Sequence, residues 1–110
     1  MLIERSKLKT DDVISLKLIN GDEIVGKLVS HNSETYELHK PCVVLTTPEG
    51  IGVLQAMFGL DPDRDNLHYR DRHVVSMCPT HDKLKEHYIK VLENDGATDS
   101  FLPTDTISSH

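Results

Sequence analysis

A chain of 110 residues, 37% of them hydrophobic, is long enough for one small domain with a modest core. Trp is absent and aromatics make up 5%, so aliphatic side chains must build that core. No apolar run approaches the ~20 residues of a membrane helix, and a formal net charge of −6 argues against a broad nucleic-acid-gripping surface, though not against a small basic pocket or pore.

The first residues, Met1 to Lys7, are too few and too charged for a secretory signal, which points to the cytoplasm. In that reducing compartment Cys42 and Cys78 are expected as thiols rather than a disulfide. Residues 1–11 form a polar arm. From Asp12 to Ile19 apolar and polar residues alternate, with Ile14, Leu16 and Leu18 on one face, as in a half-buried strand. Asn20-Gly21 is a hairpin signal, because both residues tolerate positive φ. A second alternation runs from Glu23 to Ser30 with Gly26 in its middle. A glycine there weakens a strand, and a sharp bend where a small barrel curls over is the expected reason.

His31 to Glu34 is a polar turn, and a strand restarts at Thr35. Pro41 cannot donate to a ladder, so it predicts an edge or a bulge. Cys42 to Thr47 and Ile51 to Phe58 predict the arms of a hairpin turning at Pro48-Glu49-Gly50. Gly59 to Asn66 is a charged loop. Short strands follow at Leu67–Arg70 and Val74–Met77, and Pro79 ends the second. Thr80 is then the expected N-cap of a helix through about Leu92, whose apolar stripe is Leu84, Tyr88, Val91 and Leu92. Residues 94–110, rich in Ser, Thr, Asp and Gly, are expected as a disordered tail. The expectation is a mainly β protein: a five- to six-stranded antiparallel barrel over residues 12–79 and a C-terminal helix over 80–93.

Two segments share one pattern. Leu18-x-x-Gly21, then Gly26 and Leu28, has the spacing of the first half of the Sm/LSm signature. Tyr69-Arg70-Asp71, then Val74-Val75, Met77 and Pro79, falls on the second half. The chain thus resembles Sm-like proteins, and it is similar to uncharacterised Sm-like proteins of marine cyanophages and ocean metagenomes. The match covers about residues 12–38 and 67–79, and the stretch between is longer than usual. An unrelated SH3-like or OB-type barrel would share much of the strand pattern.

The resemblance implies an open barrel whose last strand, Val74-Val75-Ser76-Met77, pairs with a neighbouring copy and closes a homo-oligomeric ring of about five to seven subunits. It also implies single-stranded RNA as a partner. In the family a stacking residue, an Asn that meets the base edge and an Arg bind uridine. Arg70 matches the Arg, and Asn32 stands where an Asp usually opens the binding loop. Thr35 occupies the Asn position, and Ser33 or Glu34 replaces the stacking residue. Asp71 replaces a Gly and brings a carboxylate that can pair with Arg70 or Arg72. Arg72, His68 and His73 add charge near the same end. The RNA-binding candidates are therefore Asn32, Ser33, Thr35, Arg70 and Arg72.

Other constellations are weaker. His39-x-x-Cys42 and Cys78-x-x-His81 would supply four zinc donors, but residues three apart on a strand face opposite ways. Asp61-x-Asp63-x-Asp65 lacks the Gly and distant Glu of a calcium loop. No nucleophile–base order, phosphate-binding Gly loop or paired buried acids stands out. The expectation is therefore a non-enzyme without cofactor or metal.

Overall fold

Alternation along Val13–Leu18 (β1) places Ile14 and Leu16 on one face of a sheet and Val13 and Ser15 on the other. The same rule governs Glu23–His31 (β2): Ile24 and Leu28 join Ile14 and Leu16, while Val25 joins Val13. The structure, a computed structural model, describes residues 7–57 and 65–93. Its remaining elements are Thr35–Thr47 (β3), Gly50–Gln55 (β4), Asn66–Arg70 (β5), a 3-10 turn at Asp71–His73, Val74–Pro79 (β6) and the helix Asp82–Glu93 (α1). All strand pairs are antiparallel, in the order β4-β3-β2-β1-β6, with β5 also on β3. The result is an open six-stranded sheet with one C-terminal helix.

Each face of the sheet has its own core. On the inner face Ile14, Leu16, Ile24, Leu28, Tyr36 and Leu38 are buried. Tyr69 of β5 and Val74 and Met77 of β6 pack against that same cluster, although those strands lie towards opposite ends of the pairing path. The sheet is therefore strongly curved. On the outer face Leu84, Tyr88 and Val91 of α1 lie on Val13, Val25, Cys42, Ile51 and Val53. The predicted apolar stripe of the helix is what the sheet receives.

Curvature is concentrated at irregular pairs. Between Val25↔Cys42 and Lys27↔His39, one residue of β2, Gly26, faces two of β3, Lys40 and Pro41. This is a β-bulge, and Lys40 adopts a left-handed φ of 46° to make it. The bulge reverses the alternation of β3. Tyr36 and Leu38 point inward before it, Cys42 and Val44 lie under the helix after it, and Val43 takes the inner phase. Gly26 is needed because a Cβ there would lie 3.0 Å from both Cβ and Cδ1 of Leu38. Further irregularities insert Val29 into β2 between the Leu28↔Leu38 and Ser30↔Glu37 pairs and Val75 into β6 between the Lys17↔Ser76 and Leu18↔Val74 pairs.

The bulge also explains why the strand after Pro48 stops at Gln55 rather than continuing to Phe58. β4 pairs Cys42–Thr47, and β5 pairs Thr35–His39 on the same edge of β3. The two flanks meet β3 at the bulge, where Ala56 N–H donates to Pro41 C=O at 3.1 Å and Lys40 N–H to Asp65 C=O at 2.7 Å. Phe58 and most of the Gly59–Asn66 loop lie outside the described residues, as do most of the arm and the 94–110 tail.

Two local expectations change. At the first hairpin only Gly21 has positive φ, at 95°, while Asn20 uses its side chain, Oδ1 accepting the Asp22 N–H at 3.0 Å. The helix begins at Asp82 and Thr80 does not cap it: the buried Thr80 hydroxyl bonds the Ser15 hydroxyl at 2.9 Å, tying the helix entry to β1. The cap is His81, whose Nδ1 accepts the Lys83 N–H at 3.1 Å.

Candidate nucleic-acid interface

The turn between β2 and β3 is built by Asn32. Its Oδ1 accepts the N–H groups of Glu34 at 2.7 Å and Thr35 at 2.9 Å, and its own N–H donates to the Thr35 carbonyl at 3.0 Å. A short side-chain carbonyl that mimics a backbone acceptor suits Asn or Asp, which explains the residue type here. Ser33 and Glu34 are exposed at the tip.

Antiparallel pairing sets Thr35 directly opposite Arg70, so their side chains share one face. One residue on, the Asp71 N–H donates to the Glu34 carbonyl at 2.7 Å, clamping the 3-10 turn to the Asn32 turn. Asn32, Ser33, Thr35 and Arg70 are thus brought together from segments far apart in sequence. Arg72 is exposed on the adjoining 3-10 turn with His73. Arg70 is exposed too, and among the described residues neither arginine stands in an ion pair. Glu34 and Asp71 put carboxylates into the same neighbourhood.

From this end a polar row that sequence reasoning did not find runs along the outer face of β3 and β5. Asn66 Nδ2 donates to Glu37 Oε2 at 3.1 Å, and the Ser30 hydroxyl donates to Glu37 Oε1 at 3.0 Å. His39 Nδ1 lies 2.9 Å from Asn66 Oδ1 and 3.1 Å from Asp65 Oδ1. With two oxygen acceptors in front of it, that nitrogen carries the hydrogen. His68 Nε2 stands 3.9 Å from Glu37 Oε2. The only signal in the sequence is an unusual density of Glu, His and Asn on alternate positions, and it acquires meaning only once strand register is known.

The four proposed interface residues divide. Val74 and Met77 are half-buried against the inner cluster, while Ser76 is exposed and Val75 is 66% exposed. β6 pairs with β1 along one edge, and among the described residues nothing pairs with its other edge. Towards the other end of the sheet Leu45 and Met57 are exposed apolar side chains. Beside Met57 lies a pocket of about 270 Å³ with Ile24, Val43, Leu67 and Tyr69 in its wall.

Burial pushes the Cys42 thiol up to about 11, and burial with Glu23 nearby raises Cys78, so both stay protonated and weakly nucleophilic. Burial, with help from Cys42 and Asp22, pushes the Tyr69 hydroxyl up to about 12. Among the described residues no three His, Cys, Asp or Glu side chains are arranged to hold a metal, and none of their helices is long and apolar enough to cross a membrane. No family model matches this chain, and no curated protein matches it.

Proposed function

We propose that this protein is a ring-forming Sm-like module that binds single-stranded RNA through an altered pocket at Asn32–Thr35 and Arg70. The observation that carries the proposal is the clamp between the two candidate loops, with Thr35 opposite Arg70 and Asp71 bonded to Glu34. The strongly curved six-stranded sheet is the backbone such a barrel needs. Its two ends differ, with Val75 exposed on the edge of β6 that no other described strand pairs and Leu45 and Met57 exposed towards the other end. Unlike surfaces meet head to tail, and such a contact between identical chains closes as a ring when its rotation divides a full turn.

Arg70 and Arg72 supply the positive charge, and a guanidinium plane both pairs with phosphate and stacks on a base. Ser33 offers no ring, so about 1–3 kcal/mol of stacking per base is missing from the pocket. Binding is therefore weak and carried by charge. In a salt-titrated oligo-U assay, log affinity falls with log salt, and Arg70→Ala lowers both the affinity and the slope, by roughly one phosphate contact. No binding at low ionic strength excludes the RNA reading.

A second reading is a ring-shaped protein scaffold without RNA. It is favoured by the net charge of −6 and by Glu34 and Asp71 beside Arg70. A ring in solution that ignores oligo-U selects it.

A further inference from the structure

The polar row on β3 and β5 holds one histidine in a single tautomer. His39 Nδ1 faces Asn66 Oδ1 at 2.9 Å and Asp65 Oδ1 at 3.1 Å. The Asn66 amide is itself oriented, because its Nδ2 donates to Glu37 Oε2 at 3.1 Å. With the hydrogen on Nδ1, the lone pair of His39 is on Nε2. That nitrogen has no partner among the described residues, and it is not a buried atom, so it is open to solvent. A carboxylate behind an imidazole whose far nitrogen is open is the arrangement of a general base.

Strand register supplies a second proton carrier. His39 pairs with Asn66 and Glu37 with His68, so the two histidines are diagonal neighbours on one face, roughly 7–8 Å apart along the main chain. A phosphodiester with an imidazole at hydrogen-bond distance on either side fits a gap of that size. His68 Nε2 stands 3.9 Å from Glu37 Oε2. Cations surround the gap. Lys27 is opposite His39 on β2, Lys40 Nζ lies 3.7 Å from Asp65 Oδ2, and Arg70 follows His68 by two residues on the same face of β5. The His39 and His68 side chains remain 35% and 62% exposed, so the helix leaves this part of the sheet face open.

We propose that His39 and His68 cleave single-stranded RNA bound at Arg70, using the 2′-hydroxyl of the RNA as the nucleophile. The inference rests on the RNA reading given above. His39 Nε2 takes the proton of the 2′-hydroxyl, and its oxygen bonds the adjacent phosphorus. The bond from phosphorus to the 5′-oxygen breaks, and protonated His68 gives that oxygen its proton. The products are a 2′,3′-cyclic phosphate and a free 5′-hydroxyl. Both histidines return to their starting states by proton exchange with water. Lys27, Lys40 and Arg70 face the charge that builds on the phosphoryl oxygens. Because the nucleophile belongs to the substrate, no nucleophile–base order marks this activity in the sequence.

The test is single-turnover cleavage of 5′-labelled oligo-U in EDTA, at saturating protein, with binding followed separately by fluorescence anisotropy. The full chain is expected to shorten oligo-U to fragments ending in a 2′,3′-cyclic phosphate and to leave the 2′-O-methyl oligomer intact. His39→Ala and His68→Ala should each lower the rate about 10²–10⁴-fold. Added imidazole should restore part of the His39→Ala rate, which a merely structural role would not allow. Asp65 acts through His39, so Asp65→Asn should lower kcat and leave KM unchanged. Oligo-U that is bound but not cut overturns the cleavage and leaves the RNA reading standing. Cleavage that persists in both histidine variants, or that spares no 2′-O-methyl oligomer, overturns it equally. No binding at low ionic strength removes the RNA reading and this inference with it. If His39→Ala fails to fold, the rate of His68→Ala decides, since that side chain is the more exposed.

Discussion

The Tyr88 hydroxyl is where the helix meets the flaw in the sheet. The bulge leaves main-chain groups around Gly26, His39 and Lys40 without their usual ladder partners. One hydroxyl serves them: it accepts the Lys27 N–H at 3.2 Å and faces the carbonyls of His39 at 2.8 Å and Lys40 at 3.0 Å. Its proton goes to one or is shared by both. Burial raises its proton affinity further, so it remains a neutral donor. Tyr88→Phe keeps the ring but orphans those groups. It is expected to cost about 1–3 kcal/mol, seen as a lower urea midpoint at constant m. Gly26 is the second single-residue dependence. Gly26→Ala drives a methyl into Leu38 and should cost about 1–3 kcal/mol. A Leu38→Ala background removes the Cδ1 contact and keeps the Cβ one, so a double-mutant cycle should return a partial favourable coupling.

At the scale of elements, strand existence was legible and strand connection was not. Alternation locates β1 and β2, and the helical spacing of Leu84, Tyr88, Val91 and Leu92 gives the face of α1 that packs on the sheet, with Leu92 only partly buried. Pro41 foretold a bulge or an edge, and the structure has the bulge. What stayed hidden depends on register between segments distant in sequence. Lys40 carries no mark of its left-handed backbone. Thr80 looks like a cap until Ser15 claims its hydroxyl. The candidate site was half legible. Arg70 and Asn32 follow from the motif resemblance, but the Asp71-to-Glu34 clamp and the row from Glu37 to Asp65 exist only because β5 pairs with β3.

For the whole molecule the open question of chemistry is how its edges are satisfied. β6 is an uncharged strand whose outer edge no other described strand pairs, and such an edge is a template for further pairing. Light scattering on the purified protein should return the mass of a closed oligomer of about five to seven copies. Val75→Lys places a charge on the exposed bulge of that edge and should shift the population to single subunits, while far-UV circular dichroism is unchanged. A wild-type mass of one subunit would remove the ring. The charge balance of −6 bears on the same scale. On the proposed reading RNA would have to reach Arg70 and Arg72 against a net negative protein, so its association rate should depend on ionic strength.

The gap between β4 and β5 has an engineering consequence. Two main-chain bonds at the bulge, Ala56 to Pro41 and Asp65 to Lys40, fasten both ends of the excursion, so ladder alignment does not depend on how many residues lie between them. Because the entropy of closing a loop grows only slowly with its length, this port can host a grafted epitope or a reporter peptide at modest cost.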